Sequence, residues 1–181
     1  MKHEVGLFCG RFQPIHRGHT NIIAEAMKQC DTLVIAIGSA QESGTKKNPF
    51  SFEFRKELIM RSISFVTCKV IIIGVNDRAE VKDDAGWGQY LLDEVYKQTG
   101  LRPTINFSGA EEIRSHWFDG VEMEQVAIDR QETPISATMV RQRLLEDNYL
   151  EFCYITPAMI WMKYEKMRNI MKEIYDEKVQ N

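Results

Sequence analysis

His16 and His19 stand three residues apart with Gly18 between them, inside the segment Gly10-Arg11-Phe12-Gln13-Pro14-Ile15-His16-Arg17-Gly18-His19. An imidazole, neutral or protonated, donates hydrogen bonds to phosphate oxygens. Arg11 and Arg17 add charge-assisted donors. Gly10 and Gly18 let the backbone come close to a bulky anion. Helical spacing begins at His19, so the pair sits at the mouth of a helix whose free N–H groups favour phosphate. Together these groups suit a nucleoside triphosphate. Two blander readings stay open at this point: a metal-binding pair, although no carboxylate or third ligand lies nearby in sequence, and two capping residues without chemistry. The segment is neither a Walker loop, since no GKS or GKT occurs, nor a GxGxxG turn.

A second group stands more than a hundred residues on, at Ile135-Ser136-Ala137-Thr138-Met139-Val140-Arg141. Ser136 and Thr138 can cap a helix whose N–H groups meet a phosphate, and Arg141, one turn inward, can point at the same anion. Alone this would be an ordinary capped helix with a surface arginine.

The elements that must position these groups alternate along the chain. Apolar runs at Glu4–Gly10, Asp31–Ile37, Lys69–Val75, Thr104–Ser108 and Val121–Ile128 read as strands. Helical spacing covers His19–Gln29, Phe52–Ser64, Trp87–Gln98, Glu111–Trp117 and Thr138–Glu146. Thr156 and Pro157 then signal the start of a last amphipathic helix. Runs such as VIIIGV are apolar throughout, as strands buried on both faces are. Right-handed crossovers turn this order into an α/β fold with a doubly wound, mainly parallel five-stranded sheet and C-terminal helices. Ligands of such sheets bind beyond the carboxyl ends of the strands, which is where the first strand hands over to Gly10.

Length and composition agree. A chain of 181 residues is one domain by length, with 44% apolar and 27% charged residues and a net charge of −3, and it buries roughly 70% of its unfolded surface. The expected division is an α/β domain over 1–150 with a helical extension over 151–181 packed on it. The charge balance argues against a nucleic-acid coat, and no apolar run approaches the ~18 residues of a membrane span. The opening MKHEVGLFCGRF lacks the apolar stretch of a signal peptide. Cys9, Cys30, Cys68 and Cys153 form no CxxC, so a zinc or disulfide framework is not expected, and a reducing, cytoplasmic setting is. His3 and His116 lack chemical context and read as surface residues.

GRFQPIHRGH resembles the first signature of the HxGH nucleotidyltransferases, and its GRFQP opening resembles the nicotinamide mononucleotide (NMN) adenylyltransferases of archaeal type and the related domain of some bifunctional bacterial enzymes. Ile15 stands where Phe is usual. ISATMVR resembles the ISxTxxR element of the same superfamily, with Ala137 where Gly or Ser is commoner. Gly38-Ser39-Ala40-Gln41, followed by Lys46-Lys47-Asn48-Pro49-Phe50, matches the archaeal-type enzymes, with Lys47 where a phosphate-binding Arg is frequent. Asn76-Asp77 and then Trp87 resemble an element whose Trp stacks on the nicotinamide ring, although the intervening stretch is about two residues longer than usual. Phe107-Ser108-Gly109 resembles the strand end near adenine, with Ala110 replacing the family's Asn. The resemblance runs over residues 5–150 and implies a Rossmann-like nucleotidyltransferase fold.

It also implies adenylyl transfer from ATP to NMN, giving NAD and pyrophosphate. His19 is then expected at the α-phosphate and His16 beside the triphosphate. Arg11 and Arg141 would hold the β- and γ-phosphates, assisted by Ser136 and Thr138. Gly10, Phe12, Gly18, Ser39, Lys47, Trp87, Ser108 and Gly109 complete the expected substrate contacts. Mg²⁺ would arrive with ATP, and no protein metal site is expected. Family analogy also suggests a homo-oligomer. The open alternatives are a preference for nicotinate mononucleotide or another phosphorylated acceptor, and a regulator that binds NAD or ATP without turning it over.

Overall fold

Alternation within the strands explains why the sheet is covered on both sides. In β1 (His3–Gly10), Val5, Leu7 and Cys9 face one side and Phe8 the other; in β2 (Cys30–Ile37), Val34 and Ala36 oppose Leu33, Ile35 and Ile37. A two-residue period with both sets apolar requires a helix layer on each face. The structure, a computed structural model, describes residues 3–63, 67–80, 84–109, 116–128 and 135–176.

The other elements are α1 (Arg17–Gln29), α2 (Phe52–Ser62), β3 (Lys69–Gly74), α3 (Asp84–Thr99), β4 (Ile105–Gly109), β5 (Glu124–Ile128), α4 (Ala137–Leu145), α5 (Tyr149–Ile155) and α6 (Tyr164–Asp176), with a 3-10 turn at Ala158–Lys163 before α6. The five strands are all parallel, in the order β3-β2-β1-β4-β5. The expected α/β class is therefore observed. The chain reverses direction across the sheet between β1 and β4, which opens a crevice at their carboxyl ends.

One core, with α1, α2, α4, α5 and α6 over the sheet, runs from Phe8 and Ile35 through Leu58 to Phe152, Met167 and Met171. The other joins β1, β2 and β3 to Leu91 and Val95 of α3 and to Phe118. None of the helices among the described residues is long and apolar enough to cross a membrane.

Several boundaries differ from the sequence reading. Helix α1 starts at Arg17 rather than His19, and β5 starts at Glu124 rather than Val121. Strand β3 is an edge strand, and within it only Ile73 is buried. Helix α5 was not foreseen; Asn148 caps it by accepting from the Glu151 N–H (3.2 Å), a signal of Asn followed three residues on by Glu. Thr156 ends α5 rather than starting the next helix, donating its hydroxyl to Phe152 O (2.6 Å), and Pro157 caps the 3-10 turn instead. The helix expected at 111–117 falls mostly outside the described residues, and 116–120 are turn. His116 is exposed beside Asp119, while His3, only partly exposed, pairs with Glu124 at 3.0 Å.

Candidate active site

Two adjoining cavities open at the carboxyl ends of the strands. One, about 240 Å³, is lined by Arg11, His16, His19, Ser136, Thr138 and Arg141 with part of the β1 exit. The second, about 380 Å³, is lined by Gly38, Ser39, Asp77, Arg78, Trp87 and Trp117. They share Cys9, Gly10 and Arg11, so the end of β1 is the ridge between them.

Two helix N-termini face the histidine-side cavity. His16 is the N-cap of α1 and Ser136 the N-cap of α4, its Oγ accepting from the Met139 N–H at 3.3 Å. Their first-turn N–H groups and dipoles both favour an anion there. The two imidazoles stack, with centroids 3.7 Å apart, and His19 lies on the Phe12 ring at 4.7 Å. His19 Nδ1 accepts from the His16 backbone N–H (3.3 Å). A neutral ring accepting at Nδ1 carries its proton on Nε2, which makes that nitrogen a donor. Phe12, fully buried, takes a left-handed backbone (φ 50°), an unusual state for a bulky residue. That conformation turns its ring under His19.

Arg141 crosses from α4 to the first loop. Its Nη1 donates to Gln13 O (2.7 Å) and its Nη2 to Thr138 Oγ1 (3.1 Å). Burial, reinforced by repulsion from Arg11, holds the Arg141 guanidinium below its ordinary pKa. Two cations pushed together beside two helix N-termini form a site whose charge an anion would relieve. His19 and Arg141, 122 positions apart in the sequence, thus meet on one cavity.

The second cavity has a different chemistry. Trp87 and Trp117 meet edge to face at 5.9 Å, and Tyr90 lies 5.4 Å from Trp87. Asp77 donates its N–H to Gln41 Oε1 (3.0 Å), tying the β3 exit to the β2 exit. Arg78 lies over the Tyr90 ring (4.9 Å) with its Nε 3.4 Å from Glu80.

The cytidylyltransferase-like family model matches residues 7–143, well over half of the chain. Nicotinamide-nucleotide adenylyltransferase of Thermococcus kodakarensis is 31% identical over 78% of this chain and 72% of its own length, and that of Methanoculleus marisnigri is 31% identical over 86% and 87%. The chain belongs to the cytidylyltransferase-like family, among the nicotinamide-nucleotide adenylyltransferases. Its fold superposes on a bifunctional NMN adenylyltransferase/ADP ribose pyrophosphatase from Francisella tularensis with a TM-score of 0.81 and 22% identity over 98% of this chain. The chain spans 54% of that protein's length.

The structure brings most of the residues singled out from the sequence to the walls of these two cavities. Gly10, Arg11, Phe12, His16, His19, Ser136, Thr138 and Arg141 line the first cavity, and Ser39 and Trp87 the second. Gly18 is buried in the first turn of α1, beneath the wall rather than on it. Ser108 and Gly109 end β4 on the same edge of the sheet but line neither cavity. Lys47 is exposed in the loop before α2 and also lines neither, while its neighbour Lys46 lies over the Tyr175 ring at 4.4 Å. Arg17 points away from the site. It donates to Thr156 O (3.2 Å) and Cys153 O (3.3 Å), satisfying carbonyls at the end of α5.

Four contributors escaped the sequence reading. Trp117 lies just past residues 110–115, which are outside the described structure, and its segment carries no family motif. Gly88 lets the Trp117 turn lie on α3, since a Cβ there would come within 1.5 Å of Trp117 O. Arg55 is wholly buried, and its position on the apolar stripe of α2 with Leu58 and Ile59 was the available signal. Gln13 acts through both amide atoms, donating to Phe50 O (3.0 Å) and accepting from the Phe50 N–H (2.9 Å). It thereby locks the GRFQP loop to the NPF loop.

Among the described residues, no group of three or more His, Cys, Asp or Glu side chains that could hold a metal occurs and no carboxylate lines the histidine-side cavity.

Proposed function

We propose that the chain transfers the adenylyl group of ATP to NMN, giving NAD and pyrophosphate. The observation that carries this reading is the meeting of His19, Arg141 and two helix N-termini on a cavity joined at Gly10–Arg11 to an aromatic one. The triphosphate takes the cationic cavity and the pyridine nucleotide the tryptophan-lined one. The two reacting phosphates then meet over the ridge.

The attacking atom is a 5′-phosphate oxygen of NMN, already ionised at neutral pH, so no general base is required. It bonds to the α-phosphorus of ATP as the bond to the bridging β-oxygen breaks, and pyrophosphate leaves. The protein aligns the two and stabilises charge spreading over the α-phosphoryl oxygens. His19 donates from Nε2 to one of these oxygens, with Nδ1 fixed by the His16 N–H. His16 and the α4 N-terminus hold the triphosphate, and Arg11 and Arg141 take up charge on the departing pyrophosphate. The pyridinium ring stacks on an indole face near Asp77, where cation–π attraction and the carboxylate both favour it. Mg²⁺ enters as part of the ATP substrate. A Francisella tularensis relative (TM-score 0.75, 23% identity, covering 98% of this chain and 53% of that one) is complexed with AMP and Mn ion.

The finer expectations belong to the same reading: a cytoplasmic enzyme, a nucleotidyltransferase unit over 1–150 with 151–181 as a helical extension, and self-association. The shared core across position 150 supports the extension packing on the unit, and exposed Leu150, Tyr154, Met159 and Met162 support self-association. The deciding experiment incubates the chain with Mg²⁺, ATP and NMN and measures NAD and pyrophosphate, which should appear in equal amounts. Binding of the nucleotides without pyrophosphate release would instead identify a regulator. Nicotinate mononucleotide run in parallel fixes the pyridine preference.

A further inference from the structure

Arg55 is fully buried in α2, and the mechanism above does not use it. Among the described residues no carboxylate is hydrogen-bonded to its guanidinium, whose hydrogen bonds go to backbone carbonyls. Nη1 donates to Arg11 O and Gly38 O (both 2.8 Å), Nη2 to Ser39 O (3.0 Å) and Nε to Ser51 O (3.4 Å). Arg11 is on the ridge, and Gly38 and Ser39 line the pyridine-side cavity. One planar fork thus fastens the exits of β1 and β2 to each other from directly beneath the site.

Both fastened loops need holding. Phe12, next to Arg11, has φ 50° and Ser39 has φ 48°. Left-handed backbone is unfavourable for such residues and persists only where the surroundings enforce it. The carbonyls also matter electrostatically. The ends of parallel strands present oxygen atoms toward a site that must take up phosphate, and a buried cation offsets that negative edge. Burial pushes the Arg55 guanidinium down to about 10, with Asp77 drawing it up and Arg11 down, as expected of a cation whose surroundings are mostly dipoles.

We infer that Arg55 is a positioning residue for the pyridine nucleotide: its fork sets the ridge at Arg11 and the Gly38–Ser39 wall so that the acceptor phosphate lies in line with the α-phosphorus. This rests on the functional reading above. Of the histidine-side cavity Arg55 touches only the backbone carbonyl of Arg11, on the shared ridge, whereas two carbonyls of the other cavity, Gly38 O and Ser39 O, accept from it, so ATP binding should be affected less than NMN binding.

The test compares wild type, Arg55→Lys and Arg55→Met. Thermal melts and circular dichroism establish which variants are folded, and all kinetics are run well below each melting midpoint. Arg55→Lys keeps the charge and loses the fork, and it decides the matter if Arg55→Met does not fold. The expected result for a folded variant is a rise of about tenfold in KM for NMN with KM for ATP within about threefold of wild type. The loss in kcat should approach 10²-fold in Arg55→Met, on the scale of a misplacement of about 1 Å. Calorimetric titration with each nucleotide separately should repeat this asymmetry without turnover. A merely structural role would lower apparent kcat through less folded enzyme and leave both KM values alone; that outcome, or a folded variant indistinguishable from wild type, overturns the inference. A wild-type chain that binds neither nucleotide overturns the functional reading and this one with it. Wild-type binding and turnover with unaltered variants overturns this one alone.

Discussion

The two cavities share a ridge but are built on opposite principles. The histidine-side cavity is cationic, assembled from a loop, two helix N-termini and two arginines. The tryptophan-side cavity is aromatic, carries Asp77 and, besides the shared Arg11, Arg78, and depends on close backbone packing of the 116–120 turn onto α3. The first binds through charge, which acts over several ångströms and tolerates small shifts. The second binds through ring contact, which does not. Substitutions should therefore separate them: charge changes on one side should act on ATP and catalysis, shape changes on the other on the pyridine nucleotide.

The largest effect is expected at His19. Removing one donor aimed at developing charge costs about 10²–10³-fold in kcat, so His19→Ala should lose that much with its fold intact by circular dichroism. Near-normal turnover would take His19 out of the chemistry and leave the cationic cavity a binding site only. Arg141→Ala comes next. A charge-assisted bond contributes about 2 kcal/mol, which is roughly 30-fold in KM for ATP, and KM for NMN should stay close to wild type. An equal rise in both would break the division between the cavities.

That same division explains what could be read from the sequence. The cationic cavity was legible because its groups are polar, stand at short fixed spacings and sit at strand-to-helix or helix-start positions, as His16, His19, Ser136, Thr138 and Arg141 do. Strand periodicity gave the parallel sheet for the same reason: a local pattern suffices. Trp117, Gly88 and Arg55 were not legible because their roles exist only through tertiary approach. A glycine in a helical pattern looks like a weak helix residue until Trp117 O is found against it. Arg17, by contrast, has the right type in the right segment but faces α5, and no spacing rule reports where a long side chain turns. The C-terminal boundary was misjudged at Thr156 because a Thr-Pro pair is compatible with either the end of one helix or the start of another.

Gly88 offers the sharpest probe of the shape-dependent side. Gly88→Ala places a methyl group where Trp117 O now lies, so the turn must move. Overpacking of this kind costs about 1–3 kcal/mol. The expected signature is altered tryptophan emission together with a rise of roughly tenfold in KM for NMN, the equivalent of about 1.4 kcal/mol, and an unchanged KM for ATP. Trp87→Phe, which keeps a ring but removes the indole, should give a smaller rise without displacing the turn. If Gly88→Ala alters emission and leaves KM for NMN untouched, Trp117 is scaffolding rather than part of the pyridine site.

The smallest effect concerns the acceptor's own charge. Nicotinamide and nicotinate mononucleotides share the pyridinium and differ by one carboxylate, so discrimination must come from groups that meet that carboxylate. Arg78 lines the tryptophan-side cavity, but Glu80 is 3.4 Å from its Nε and Tyr90 occupies one of its faces. Its pull on a nicotinate carboxylate is thus partly spent within the protein, and exposed pairs contribute only about 0.2–1 kcal/mol. Arg78→Gln should lower kcat/KM for nicotinate mononucleotide by about threefold relative to NMN, on that energetic scale. Glu80→Gln should move the ratio the other way, because it removes the competitor and leaves Arg78 in place. Opposite shifts from the two substitutions would tie pyridine preference to a charge pair inside an otherwise shape-dependent cavity; parallel shifts would assign the preference to the rings alone.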